Sequence, residues 1–229
     1  MKKAIFSLAI LVSLSLVFTI SCVNNTQPPS GELPAWGIGD TWTTRDFAFG
    51  IEGITVQTVT GEQVYNGIDC YIINAQHTHY GTSTTPETVD TSTQAFDKTT
   101  LRIIGVTSAP HWLATNSASF IMNTSINYSV KPYPLSIGKT WTTTENITYP
   151  IEENQTPTEN ANYIYKVEGI ESITVPAGTF NCFKIVIYNS KNDPIETQWV
   201  TDVTGGFPVK RISNQIDLSM ELTSYSLSE

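Results

Sequence analysis

The sequence is poor in the residue types on which most catalytic and metal sites depend. It contains three cysteines, three histidines and three methionines among 229 residues. It has no GxSxG elbow, no HExxH zinc motif and no glycine-rich loop that would hold a phosphate ahead of a helix. Its acidic residues are scattered, whereas a glycosidase needs a carboxylate pair. We therefore expect no enzymatic activity, no catalytic residues, no cofactor and no metal.

Positive charge is also scarce, with 12 Lys and Arg against 21 Asp and Glu. Removal of an N-terminal signal would take away Lys2 and Lys3, which leaves 10 basic and 21 acidic residues and a net charge of about −11. A strongly acidic surface repels phosphate backbones and anionic headgroups. Nucleic acid is therefore not an expected partner.

The N-terminus has the pattern of an export signal. Lys2 and Lys3 precede an uncharged apolar run over residues 4–20, as in secretory signal peptides. The following TISC at residues 19–22 resembles the lipobox of bacterial lipoproteins, whose cysteine becomes the lipidated first residue of the mature chain. Thr19 departs from that pattern, which usually has Leu or Val there. We expect a signal peptide over residues 1–21 and a lipid anchor, such as palmitate, on Cys22.

Two other readings of this segment stay open. One is an ordinary signal peptide cut near Ser21, which would give a secreted protein. The other is an uncleaved anchor, although the apolar run is slightly short of the roughly 20 residues of a spanning helix. With lipidation, the protein is exported and held at the cell membrane, facing the periplasm or the exterior. Residues 22–32, which are rich in Asn, Pro, Ser and Gly, are then expected to form a flexible tether.

The mature part has the composition of an all-β protein, because Thr, Asn, Ile, Val, Ser and Tyr dominate it. Apolar and polar residues alternate with period two, as where Tyr163, Tyr165 and Val167 share one face of a predicted strand. Asn66-Gly67 is typical of a two-residue hairpin turn, since both residue types tolerate positive φ.

Two halves of the chain repeat one another. WGIGDTWTT at residues 36–44 returns as LSIGKTWTT at residues 135–143, and GIDCYII at 67–73 corresponds to TFNCFKIVI at 179–187. The matches keep the same order in both halves. This predicts two tandem β units, residues 33–132 and 133–229, which share one continuous core.

The second half resembles a known family. The run ITVPAGTFNCFKI at residues 173–185, with PLSIGKTW before it and WVTDVTGGFPVKRI after it, resembles exported bacterial domains of the DUF3108-like kind. These are related in architecture to LolA-like lipoprotein carriers. The resemblance covers roughly residues 130–213, and the first half only as a degenerate copy. It implies a curved antiparallel sheet or half-barrel with a concave apolar surface and a lipid or lipoprotein ligand, and it brings no catalytic residues.

Aromatic residues are the best candidates for ligand contacts. Trp112, which has no counterpart in the other half, and Trp36 could line a groove for an acyl chain or a sugar. Core and strand-rim packing accounts for most of the aromatics without a ligand.

The few histidines and cysteines give two weaker hypotheses. His77 and His79 are two residues apart on a predicted strand and therefore share a face, so a metal could bind there with His111, Asp90 or Glu87 as a third ligand. A solvated strand end is the favoured interpretation of the two histidines. Cys70 and Cys182 could form a disulfide, but two separate buried thiols are the favoured interpretation.

Two functional classes follow from these patterns. The first is a membrane-anchored, non-catalytic binding module for an apolar or amphiphilic ligand. The second is a structural or adhesion module of the cell surface that binds protein or polysaccharide. A concave face that its own side chains leave open favours the first, and a completely filled face favours the second.

Overall fold

The structure is a computed structural model, and it describes seven parts of the chain. These are residues 23–25, 27–48, 50–65, 67–80, 87–107, 131–148 and 158–228. Cys22, Trp112 and His111 lie outside the described residues. None of the described residues belongs to a helix long and apolar enough to cross a membrane.

The described residues form twelve strands and a single 3-10 turn at Asp202–Thr204. The strands are β1 (Val23–Asn25), β2 (Thr41–Ala48), β3 (Ile51–Tyr65), β4 (Ile68–His79), β5 (Thr88–Asp97), β6 (Ile103–Thr107), β7 (Thr140–Thr148), β8 (Thr158–Val175), β9 (Gly178–Tyr188), β10 (Pro194–Val200), β11 (Pro208–Ser213) and β12 (Leu218–Ser226).

These strands build one sheet. Its order is β7-β8-β9-β10-β11-β12-β2-β3-β4-β5-β6, every neighbouring pair in that order is antiparallel, and β1 runs parallel to β9. The predicted hairpin is present, because β3 ends at Tyr65, β4 begins at Ile68, and Gly67 has a φ of 80°. The last strand, β12, lies between the first five-stranded meander and the second.

The sheet is curved. At the tip of the β8–β9 hairpin, the Ala177 amide donates a hydrogen bond of 3.2 Å to the Leu222 carbonyl of β12. Three strand positions separate β9 from β12 in the sheet, so this contact requires the sheet to bend over itself. The described ladder ends at β6 and β7, which do not pair with each other. The prediction of an all-β, curved antiparallel sheet is confirmed.

The turns that open the two meanders have the same hydrogen bonds. The Gly39 amide donates to the Val59 carbonyl at 2.8 Å, and the Gly138 amide donates to the Val167 carbonyl at the same distance. Each strand then has a register shift directly after that valine, at Val59/Gly61 and Val167/Gly169. The sequence matches between the halves thus fall on equivalent local geometry.

Two apolar clusters stabilise the sheet. The first joins β2–β5 to β11 and β12 around Trp42, which is fully buried and stacks on Phe207 with ring centroids 5.3 Å apart. The second lies on β7–β10 around Tyr165 and Ile185. Burial of large side chains at about 25 cal/mol per Å² makes these clusters the main source of stability.

The segment predicted to be a flexible tether contacts the sheet. Residues 23–25 pair with β9, and the Ser30 amide donates to Asp202 at 3.1 Å. The Leu135 amide donates to the Gly31 carbonyl at 2.6 Å, and Gly31 is buried. The described part of residues 22–32 therefore differs from an extended, free linker, because its backbone groups have partners in the fold.

Candidate functional site

The face of the sheet that carries Trp42, Tyr71 and Ile185 is called the inner face below. Strand register decides which other residues share it, since directly paired residues point to the same side. The pairs Gln198↔Arg211, Arg211↔Met220 and Met220↔Asp46 place three polar residues, Gln198, Arg211 and Asp46, in one row across this face, with Met220 of β12 between Arg211 and Asp46. Polar and charged side chains thus occupy the middle of a face whose other parts are apolar.

The first polar group in this row is an ion pair between β10 and β11. Arg211 donates to both carboxylate oxygens of Glu196, at 2.7 and 2.9 Å, and Gln198 donates to Glu196 at 2.6 Å. Glu196 is only 4% exposed. Removing both charges from water is costly, and only two-pronged hydrogen bonding of this kind offsets that cost. Burial lowers the pKa of Lys131 to about 8, although the negative charge of Glu196 opposes this shift.

The second polar group is a chain of hydrogen bonds on β2, β3 and β4. The Thr55 hydroxyl contacts Asp46 Oδ2 at 2.5 Å and also contacts Nδ1 of His77. His77 Nε2 lies 3.2 Å from His79 Nδ1, with the ring centroids 3.9 Å apart. His77 and His79 therefore do share a face, as their spacing predicts, and Thr55 fixes the orientation of the His77 ring.

Burial sets the protonation of these groups. Burial, and then the charge of neighbouring His79, lowers the pKa of His77 to about 4. Burial also lowers the pKa of His79 and raises that of Asp46, although hydrogen bonds from Thr55 and Thr44 oppose the change at Asp46. Although His77 Nδ1 lies 3.8 Å from Asp46 Oδ2, the two do not form an ion pair at neutral pH because His77 is uncharged there.

An aromatic surface lies on the same face of the sheet, on β7 and β8. Trp141 stacks on Tyr165 with ring centroids 5.1 Å apart and planes inclined by 12°. Register pairs Trp141 with Tyr165 and Tyr165 with Ile187, so the stack lies on the inner face. Trp141 Nε1 and the hydroxyl of nearby Thr143 are both buried and have no hydrogen-bond partner within the part of the chain that the structure describes. A buried donor without a partner costs about 1–3 kcal/mol.

The suggested metal ligands within the described part of the chain are His77, His79, Asp90 and Glu87. Asp90 pairs with His77 in the β4–β5 ladder, and Glu87 precedes β5. Among the described residues, no group of three or more His, Cys, Asp or Glu side chains is arranged to hold a metal ion.

Trp36 is a core residue in the structure. It is 7% exposed, its indole N–H donates to the Gly205 carbonyl at 2.7 Å, and its ring packs against Trp42 and Phe96. Core packing therefore describes Trp36 better than the ligand contact suggested from sequence. The other suggested contact, Trp112, and the predicted lipidation site, Cys22, lie outside the described residues.

Cys70 and Cys182 are separate buried thiols in the structure, not a disulfide. Burial raises the pKa of the Cys182 thiol to about 12 and also raises that of Cys70. Both are therefore protonated at neutral pH and weakly reactive.

Sequence reasoning missed Glu196, Gln198, Arg211, Asp46 and Thr55. One signal was available in the sequence. Glu196 and Gln198 belong to a short polar run in a strand whose remaining residues are apolar. No local pattern shows that Arg211 reaches Glu196, since the pairing of β10 with β11 brings them together.

Similarity to known proteins gives one family and two solved structures. Residues 118–224 match the family model described as DUF3108-like. A Bacteroides fragilis protein, described as exported and as having a YmcC-like fold, is 11% identical, with a TM-score of 0.37 over 85% of this chain and 99% of its own. A Parabacteroides distasonis protein, described as a lipoprotein, is 12% identical, with a TM-score of 0.38 over 87% of this chain and 100% of its own. No curated protein matches.

The family match begins before β7 and ends within β12, so it spans the whole second meander and most of the last strand. The match includes the β8–β9 hairpin with the run ITVPAGTFNCFKI, on which the resemblance seen in the sequence is based. The second half of the chain is thus similar to the DUF3108-like family, as its sequence predicts.

Proposed function

We propose that this protein is an exported lipoprotein, held at a membrane by lipid on Cys22, that binds an amphiphilic ligand on the inner face of its sheet without chemical conversion. One observation carries the ligand part of this proposal. The inner face carries the aromatic stack of Trp141 and Tyr165 in the same row as the buried Glu196–Arg211 pair, with Ile187 of β9 between Tyr165 and Glu196. A molecule with a polar group and an apolar chain matches that juxtaposition.

Two physical arguments support an amphiphile over a purely apolar ligand. A protein that stored only acyl chains would gain nothing from burying an ion pair, which is often less stable than an apolar replacement. The buried Trp141 Nε1 and Thr143 hydroxyl also offer hydrogen bonds that no described residue uses. An ester, phosphate or amide oxygen of a lipid or of an acylated protein would accept them.

A structural or adhesion role at the cell surface is the second candidate. The first apolar cluster favours this role, because its own side chains leave no open space on the sheet for a ligand. Trp36, Trp42, Tyr71 and Phe96 fill that space. A cleft near Tyr133, Phe183 and Val200 has room for only about one water molecule.

Native mass spectrometry of the full protein, extracted gently from its own membrane, distinguishes the two candidates. An amphiphile bound at a fixed stoichiometry is the expected result. A protein mass with no bound molecule, from a preparation that retains its native sheet, favours the adhesion role.

The anchor is tested separately. Cells fed a clickable fatty acid should label the wild-type protein and not the Cys22→Ser variant. An unlabelled wild type would mean that the protein is simply secreted.

A further inference from the structure

The segment that leads into β7 lies over the inner face of the sheet. Leu135 is buried in the second apolar cluster, and Tyr133 packs against the same cluster. Lys131 precedes them in this segment, its side chain is half-buried, and the negative charge of Glu196 on β10 acts on it. The Lys131 ammonium group therefore lies near the buried Glu196–Arg211 pair.

Lys131 has no carboxylate of its own in this arrangement. Both oxygens of Glu196 already accept hydrogen bonds from Arg211, and one of them also accepts a hydrogen bond from Gln198. No described residue forms a hydrogen bond or an ion pair with the Lys131 ammonium group. One carboxylate thus faces two cations, so this part of the inner face carries an unbalanced positive charge.

Burial makes this unbalanced charge costly. It lowers the pKa of Lys131 to about 8, and the attraction of Glu196 opposes this change without cancelling it. At neutral pH the ammonium group is still protonated, and a cation removed from water normally has an anion beside it. The other carboxylate of the polar row, Asp46, lies beyond Met220 on β2 and accepts hydrogen bonds from threonines instead.

The neighbouring polar groups on the inner face are hydrogen-bond donors. Trp141 Nε1 and the Thr143 hydroxyl on β7 are buried and have no partner among the described residues. An indole N–H and an ammonium group can only donate, and a hydroxyl can donate as well. The oxygen atoms of an anionic head group would accept from these donors, whereas an ammonium head group would add further donors and further positive charge.

We propose that the amphiphile bound on the inner face is an anion and that Lys131 holds its phosphate or carboxylate group. This rests on the proposed function and adds the chemical class of the ligand. Ile187 and Tyr165, which lie between Glu196 and Trp141 in their row, provide the apolar surface for its chain. The negative net charge of the protein does not oppose this contact, because exposed charges more than about 10 Å away are screened by salt.

The test compares two head groups on the same apolar chain. Full-length protein in detergent is incubated with equal amounts of oleoyl lysophosphatidic acid and monoolein, which differ by the phosphate group. Native mass spectrometry then counts the bound molecules of each lipid. We expect wild type to bind lysophosphatidic acid at least about tenfold more tightly, because charge-assisted hydrogen bonds are roughly twice as strong as neutral ones.

Three variants assign this preference to Lys131. Lys131→Met removes the charge and should weaken lysophosphatidic acid binding at least about tenfold, with monoolein binding unchanged. Lys139 lies further along the same segment, and its ammonium group donates to the Pro134 carbonyl at 2.7 Å on an exposed surface. Lys139→Met should therefore bind both lipids like wild type. Lys131→Arg keeps the charge and should keep the preference, which tests the assignment even if Lys131→Met folds poorly.

The outcomes separate this inference from the proposed function. Equal binding of the two lipids by wild type, or an equal loss in both methionine variants, overturns the anionic class and leaves the binding of an amphiphile intact. Inorganic phosphate at an equal concentration should not displace lysophosphatidic acid. If it does, the site takes free phosphate, and the assignment to an amphiphile is overturned. If wild type binds neither lipid, the proposed function fails and this inference fails with it.

Discussion

At the scale of single residues, the Glu196–Arg211 pair is the strongest buried electrostatic contact that the structure describes. Breaking a buried pair leaves an uncompensated charge, so Arg211→Met should lower the free energy of unfolding by about 3–5 kcal/mol. Neighbouring Lys210 pairs with Glu221 at 2.8 Å on a more exposed surface. Lys210→Met should cost no more than about 1 kcal/mol.

Chemical denaturation of both variants at neutral pH measures this difference. The double variant Glu196→Leu, Arg211→Met should recover much of the loss, because it buries no charge. Equal costs for the two single variants would show that Glu196 is more hydrated than its 4% exposure indicates.

His77 gives the protein a pH-dependent stability with a definite sign. Its pKa is about 4 in the fold and about 6.5 when unfolded, so the unfolded chain binds an additional proton between those values. The free energy of unfolding should therefore fall as the pH drops from about 6.5 to about 4. Asp46 acts in the opposite direction, because burial raises its pKa.

His77→Gln should flatten this fall by on the order of 1–3 kcal/mol, measured by denaturation at a series of pH values. An NMR titration of wild type should also show the His77 ring neutral down to about pH 4. A ring that titrates near its ordinary value would contradict the buried arrangement with Thr55.

At the scale of elements, the N-terminal segment is part of the fold, and two glycines test this. Gly31 has a φ of 76°, and a Cβ atom there would lie 2.2 Å from the Leu135 carbonyl oxygen. Gly39 has a φ of 99° but no atom within 4 Å of an added Cβ. Both substitutions by alanine strain the backbone, but only Gly31→Ala also produces a clash.

Gly31→Ala should therefore destabilise the protein by about 1–3 kcal/mol more than Gly39→Ala, measured by thermal or chemical unfolding. If the two cost the same, residues 27–32 are detached from the sheet in solution, and the tether expected from composition is correct after all.

The strands were predictable from sequence to different degrees. Asn66-Gly67 and the alternation around Tyr165 indicate strands and a hairpin directly, because turn chemistry and period two are local properties. Pairing of β1 with β9 was not predictable, since residues 22–32 have the composition of a linker. The polar row on the inner face was also hidden, because its residues come from separate strands that long-range register aligns.

At the scale of the whole molecule, the proposed function brings an acidic chain to a membrane by lipid instead of by charge. A net charge of about −11 after loss of Lys2 and Lys3 disfavours anionic headgroups. In the proposed function, lipid on Cys22 supplies the attraction to the membrane from which an amphiphile would come.

The central claim, that the inner face holds an amphiphile, is tested most directly by native mass spectrometry of matched variants. Trp141 lies on the inner face, and its Nε1 has no hydrogen-bond partner among the described residues, whereas Trp199 donates its Nε1 to Glu171 at 2.8 Å on the other side of the sheet. We predict a bound amphiphile on wild type and Trp199→Phe, and a clearly reduced bound fraction on Trp141→Phe. A wild-type spectrum free of bound molecules, or equal occupancy in both variants, would contradict the account.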